Sequence, residues 1–171
     1  MRTSTAPIAP SSPTGPGRIS MRVATGSDHA GFELKEAMRA FLIDEHHEVV
    51  DVGTHSLDPV DYPDYAIAVA AAVRSNQADR GILICGSGVG ASVCANKVNG
   101  VRACLIHDHF SAKQGVEDDH MNILCMGGRT VGPEVAWDLV QTYLAAEYSS
   151  APRHLRRLGK VAALESERIT P

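Results

Sequence analysis

The sequence predicts a single α/β domain in three layers, with helices on both faces of a five-stranded parallel sheet. Short apolar runs alternate with helical periodicity from Arg22 onward, and most of those runs are apolar throughout. Strands covered on both faces read as continuous apolar segments, and the alternation with helices supplies the crossovers that cover them. A length of 171 residues suits one such domain with a full core.

The elements follow in order. Arg22–Thr25 reads as a brief strand, closed by the turn Gly26-Ser27-Asp28-His29. Leu34, Met38, Phe41 and Leu42 then recur at helical spacing, which predicts a helix over Gly31–Glu45. Glu48–Val52 is a second strand, ended by Gly53, and an Asp- and Pro-rich loop leads to an Ala-rich helix around Ala66–Ser75. Gly81–Cys85 is the most apolar short strand. The turn Gly86-Ser87-Gly88-Val89-Gly90 and a helix over Ala91–Lys97 come next. Val101–Ile106 and Asn122–Met126 are the last two strands, with a short helix over Phe110–Val116 between them. Val131–Ala146 carries Val135, Leu139, Tyr143 and Leu144 on one side of a helix, and after a break at Ser149–Pro152 the basic stretch Arg153–Leu164 forms the last. No internal repeat is present. Open parallel sheets bind ligands at the carboxyl ends of their strands. Ser27, Asp28, His29, Cys85, Gly86, Ser87, His107 and Asp108 are therefore expected along one edge.

Composition excludes several classes of function. A formal net charge of −4 argues against a general nucleic-acid binder, and no apolar stretch is long enough for a membrane span. The four cysteines lie in or beside apolar runs without a C-x-x-C pair, which favours reduced thiols in the cytoplasm over a disulfide framework or a zinc site. Residues 1–20 are rich in Pro, Ser, Thr and Gly and lack a secretory apolar region. They are expected to be a disordered extension ahead of a domain over 21–165, with a flexible tail at 166–171.

Three groups of residues can carry chemistry. The turn Gly86–Gly90, between a buried strand and a helix, offers outward amides to an anion. Its glycine spacing fits neither the dinucleotide fingerprint nor the P-loop. Cys85 ends the strand beside those amides, a setting that favours a thiolate able to act as base or nucleophile; a small buried hydrophobe is the plain alternative. Ser27, Asp28 and His29 form a second strand-end group, in which Ser27 or Asp28 can cap the following helix. Arg153 and Arg157, four apart on one helical face, suit bidentate binding of a phosphate, and a solvated basic face is the alternative. His107-Asp108-His109 and Glu117–His120 match no strong metal-ligand spacing, so no metal is expected.

Several of these motifs, in order, resemble the ribose-5-phosphate isomerase B branch of the ribose/galactose-phosphate isomerase family. They are GSDHAGFxLK at Gly26–Lys35, DYPDYA at Asp61–Ala66, ICGSGVGASxxANKxxGxRA at Ile84–Ala103, MNILCMGGR at Met121–Arg129 and RHxRR at Arg153–Arg157. The resemblance implies a Rossmann-like fold and an aldose–ketose isomerase acting on a sugar phosphate without metal or organic cofactor. It implies a homodimer or tetramer whose active sites are shared between subunits. Cys85 would move a proton between C2 and C1 through a cis-enediolate, with Ser87 and the amides of Gly86, Gly88, Val89 and Gly90 holding the oxyanion. Asp28 would bind sugar hydroxyls or shuttle protons. His29, Arg129, Arg153 and Arg157 would grip the phosphate, and Tyr62, Asn96 and Asp119 would line or support the pocket.

One stretch departs from the family. Where many members carry a ring-opening histidine, this chain has Asp118, with His120 two positions on; both are candidates for that step, and His107 is another proton donor. A substrate that needs no ring opening, such as a tetrose 4-phosphate, stands beside ribose 5-phosphate, as do a hexose 6-phosphate and a non-catalytic sugar-phosphate binder.

Overall fold

A strand at the middle of a parallel sheet must be apolar on both faces, and Arg80–Cys85 takes that place. The computed structural model of the protein describes residues 20–166. Apart from Ser20 and Ser166, the expected N-terminal extension and C-terminal tail lie outside the described residues. Eleven elements alternate: β1 (Arg22–Ser27), α1 (Phe32–Asp44), β2 (Glu48–Asp51), α2 (Tyr62–Arg74), β3 (Arg80–Cys85), α3 (Val89–Ala95), β4 (Ala103–Leu105), α4 (His109–Asp119), β5 (Ile123–Gly127), α5 (Pro133–Ala145) and α6 (Pro152–Ser166). The strands lie in the order β2-β1-β3-β5-β4, every pair parallel. The order reverses between β1 and β3, so the switch point falls between Ser27 and Cys85.

The two faces are read off alternate strand residues. Val23, Ile82, Ile84, Leu124 and Met126 join Leu34 and Met38 of α1, Val116 of α4 and Leu139 of α5 in one core. Ala24, Leu83, Cys85, Ile123 and Cys125 pack with Ala66, Val69 and Ala70 of α2 and Ala91 of α3 in the other. The second layer sits close because two sheet residues lack side chains. A Cβ on Gly26 or Gly81 would meet a Val69 methyl at 2.6 or 2.7 Å.

The expected elements are all present, with shifted ends. Helix α2 starts four residues before the Ala-rich core of its sequence, because Pro63 stands in its first turn, where a missing N–H costs nothing. Helix α4 extends to both sides of the expected Phe110–Val116. Asp108 caps it by accepting from Ser111 N at 2.8 Å, and Glu117–Asp119, expected in a loop, form its last turn. Strand β4 shortens to three residues, a short edge that limits unwanted pairing.

One buried charge belongs to the framework. Lys35 on α1 has no exposed surface, and its Nζ donates to both carboxylate oxygens of Asp51, at 2.8 and 3.0 Å. The same carboxylate accepts from Gly53 N at 3.0 Å, and the next segment pairs with the end of β1 through Ser27 N to Gly53 O and Thr54 N to Ser27 O, at 2.7 and 2.8 Å.

The turn after β1 packs tightly. A Cβ on Gly31 would lie 2.5 Å from the backbone oxygen of Ile84, which cannot swing away. Gly31→Ala is therefore expected to lose about 1–3 kcal/mol in urea unfolding. Gly159→Ala, on α6 with nothing within 4 Å of the new methyl, should gain roughly 0.5–1 kcal/mol.

Candidate active site

At the carboxyl edge three turns meet at backbone contact. Asp28 N donates to Ile84 O at 3.3 Å, Gly128 N to Cys85 O at 2.8 Å, and Arg129 N to Gly86 O at 3.1 Å. Side chains would keep these turns apart: a Cβ on Gly127 would lie 2.7 Å from the Ser87 backbone, and one on Gly128 2.6 Å from Ala30 O. The ends of β1, β3 and β5 thus bring Asp28, Cys85 and Arg129 into one place.

Cys85 is buried to 5% exposure, and Gly88 N donates to its Sγ at 3.1 Å. That contact depends on Gly88 holding φ at 83°, the left-handed region that glycine enters without strain. An amide aimed at the sulfur suits an anionic thiolate, and the neighbouring turn gives the same polarity to an oxyanion beside it. Ser87 is exposed above the turn, with its Oγ accepting from Val89 N at 3.3 Å.

Asp28 is nearly buried, and its Oδ1 accepts from Gly31 N at 3.0 Å. Asp28 thus closes the turn ahead of α1 and does not cap it, since the helix has no side-chain cap at its N-cap Gly31, while Asp28 Oδ2 makes no hydrogen bond with the described residues. Ser27 Oγ is buried with no hydrogen-bond partner among them. His29 Nδ1 lies 3.2 Å from Val60 N and 3.3 Å from Val60 O, which ties the ring to the segment ahead of α2. Tyr62, 39% exposed, lays its ring where a Gly90 Cβ would stand, at 2.8 Å, and the Arg129 guanidinium lies 3.8 Å from the corresponding point on Gly86.

The remaining sequence candidates stand elsewhere. Asn96 ties α3 to β4: its Nδ2 donates to Ala103 O at 2.7 Å and its Oδ1 accepts from Ala103 N at 2.9 Å. It joins the end of α3 to the start of β4. Asp118, Asp119 and His120 lie at the C-terminal end of α4, which runs back across the sheet from the carboxyl edge. The 11 residues of α4 put them roughly 15 Å from that edge. Arg153 and Arg157, both exposed, are on α6 beside that far end. His107 and Asp108 remain at the carboxyl edge, and Asp108 is committed to its cap. Hydrogen bonding to Ser111 holds the Asp108 carboxyl below the usual carboxylate range.

His120 stacks on Tyr148, with ring centroids 4.5 Å apart and 12° between planes. Loss of water around the ring, and after that the guanidinium groups of Arg102 and Arg80, hold its pKa below the ordinary histidine value. Burial pushes the Cys125 and Cys104 thiols up. None of the four cysteines forms a disulfide. Among the described residues, no three His, Cys, Asp or Glu side chains gather as metal ligands, and no helix is long and apolar enough to cross a membrane.

Two residues that matter here were not singled out from sequence. His154 is 2% exposed within a helix that reads as a basic surface, and Lys35 reads as an ordinary charged position on α1. The phase of α1 offered the signal for Lys35, since it follows Leu34 and precedes Met38 by three on the buried face.

Comparison with known proteins agrees with this arrangement. The sequence profile described as Ribose/Galactose Isomerase matches residues 23–161. The chain is 42% identical over 147 residues to ribose-5-phosphate isomerase B of Escherichia coli, covering 86% of this chain and 98% of that one. It is 38% identical over 150 residues to D-erythrulose-4-phosphate isomerase 2 of Mycolicibacterium smegmatis, covering 86% and 99%. The crystal structure of ribose-5-phosphate isomerase B from Mycoplasma genitalium with bound ribulose-5-phosphate superposes with a TM-score of 0.81 at 38% identity, over 85% of this chain and 97% of that one. These matches, over a parallel sheet with a cysteine and a glycine turn at its switch point, identify the class as α/β sugar-phosphate isomerases. The chain belongs to the ribose/galactose isomerase family.

The stacked position of His120 can be checked by NMR titration. Its ring should titrate below the ordinary histidine range, and Tyr148→Ala should move the midpoint upward by uncovering it.

Proposed function

We propose that the protein interconverts ribose 5-phosphate and ribulose 5-phosphate, with Cys85 as the base. The observation that carries this reading is the Gly88 N–H donated to the Cys85 sulfur at 3.1 Å from the glycine turn that follows it. On the open-chain aldose, the Cys85 thiolate removes the C2 proton, and the electron pair forms a cis-enediolate. The amides of Gly86–Gly90 and Ser87 hold the oxygen that gains charge. Proton exchange between the O1 and O2 oxygens passes through Asp28, and Cys85 returns its proton to C1, so no redox partner is consumed. His29, Arg129, Arg153 and Arg157 supply donors for the phosphate.

A second reading is favoured by one observation. Asp118 replaces the family's ring-opening histidine, and its carboxylate is already engaged by Gln114 and His154. A tetrose 4-phosphate needs no such residue, and the Mycolicibacterium relative is named for one. An assay of kcat/KM across tetrose, pentose and hexose phosphates decides between them: the highest value is expected with ribose 5-phosphate, and a maximum on the tetrose would replace it. In the same assay Cys85→Ala should lower kcat by roughly a thousandfold or more while inorganic phosphate still binds. Substantial remaining turnover would remove Cys85 as the base.

The active unit in this reading is a dimer or larger assembly in the cytoplasm, where unpaired thiols persist. Two features support association. Arg153, Arg157 and Asp119 stand at the sheet edge opposite Cys85 and Arg129, so one chain does not bring them to one substrate. Helix α6 also carries Leu155, Val161 and Leu164 at 52, 52 and 62% exposure, an apolar stripe suited to a second copy. Mixing Cys85→Ala with Arg153→Ala protein, each inactive or impaired alone, should restore activity through hybrid sites. No recovery after subunit exchange would place each site within one chain.

A further inference from the structure

The buried face of α6 carries a chain of side chains that the isomerase reading does not use. His154 lies between Arg153 and Asp118. Arg153 Nε donates to His154 Nε2 at 2.9 Å, while Nδ1 stands 2.7 Å from Ser149 Oγ and 3.3 Å from Asp118 Oδ1. A guanidinium has donors and no acceptor, so Nε2 must present its lone pair and Nδ1 must carry the proton. That tautomer is the one a carboxylate at Nδ1 selects. The Asp118 carboxylate is itself held from within α4, its Oδ2 accepting from Gln114 Nε2 at 2.9 Å.

We infer that His154 is a positioning residue for Arg153, and that Asp118 acts here by fixing its tautomer. The inference rests on the reading of Arg153 as a phosphate ligand. An exposed arginine samples many rotamers, and binding a phosphate must freeze them. Anchoring Nε on a ring that is 2% exposed removes part of that freedom before the substrate arrives. The terminal nitrogens Nη1 and Nη2 make no hydrogen bond or ion pair with the described residues, so the anchor leaves available the pair that can grip an oxyanion. Asp118 thereby acquires a role at the ring-opening position of the family: its carboxylate is turned into its own chain to hold the arginine helix.

The two conservative replacements of His154 separate this role from packing. His154→Gln keeps an acceptor close to where Nε2 stands, whereas His154→Asn keeps the Nδ1-side donor toward Asp118 and loses the contact with Arg153. His154→Asn is expected to raise both the KM for ribose 5-phosphate and the calorimetric Kd for inorganic phosphate roughly tenfold, with kcat within about twofold of the parent. His154→Gln should retain most of the affinity. In an Arg153→Ala background His154→Asn should add nothing, because its effect passes through the absent guanidinium. Equal losses for Asn and Gln, or an undiminished effect without Arg153, would reduce His154 to a packing residue. If His154→Asn does not fold, Asp118→Ala carries the test: a few-fold rise in the same KM and Kd with kcat kept supports the relay, and a collapse of kcat at unchanged KM overturns it. Absence of turnover on ribose 5-phosphate in the parent protein, with the phosphate-affinity pattern intact, would refute the substrate and leave the relay standing.

Discussion

Three turns leave the carboxyl edge of the sheet with no side chain between them, and the site depends on that contact. Gly31 lies against the Ile84 carbonyl, Gly127 beneath Ser87, Gly128 against Ala30 and Gly88 over Met126. At each place a methyl group would overlap backbone, which has no rotamer into which to retreat. The hydrogen bonds from Asp28 N, Gly128 N and Arg129 N then join the turns into one surface. Asp28, Cys85 and Arg129 come from positions far apart in the chain, and the missing Cβ atoms let them share one small volume. The left-handed Gly88 adds the last element by turning its N–H onto the sulfur.

The opposite edge has a different economy. There the chain uses long polar and aromatic side chains: Arg102 Nε donates to His120 O at 2.6 Å, Tyr148 stacks on His120, and His154 is closed in by Ser149, Asp118 and Arg153. These contacts fasten α6, whose apolar stripe remains open, to the end of α4. In the assembly proposed above, the rigid glycine-built edge of one copy would meet the helix-borne basic edge of another.

The sequence made the carboxyl edge legible because its signals are local. An apolar run ending in Cys85 and followed by alternating glycines reads as a buried strand and a tight turn into a helix, and both stand where expected. Helical phase likewise placed α1, α5 and α6. What periodicity did not convey was direction. Asp118 lies in the last turn of α4 and His120 just after it, and a crossover helix in a parallel sheet returns the chain to the edge it started from, so these residues lie away from Cys85 of their own chain. The contacts of Asn96 could not be read either, because motif membership does not say that its side chain joins α3 to β4. His154 escaped notice because four basic neighbours made its helix read as uniformly solvated, while a single position of that helix is buried.

The Lys35–Asp51 pair has a consequence for how such a chain can vary over time. Its ammonium is wholly enclosed, and the carboxylate it meets also orders the Gly53 segment that lies along the end of β1. Without Lys35, Asp51 still has Arg39 and His55 at 3.6 and 3.8 Å, and without Asp51, Lys35 still has Glu36 at 2.8 Å. Change at either position is therefore cushioned in charge, while the contact that orders Gly53 N is lost with Asp51 alone. A helix residue that never touches substrate is thus tied, through Asp51, to the loop that lies along the end of β1.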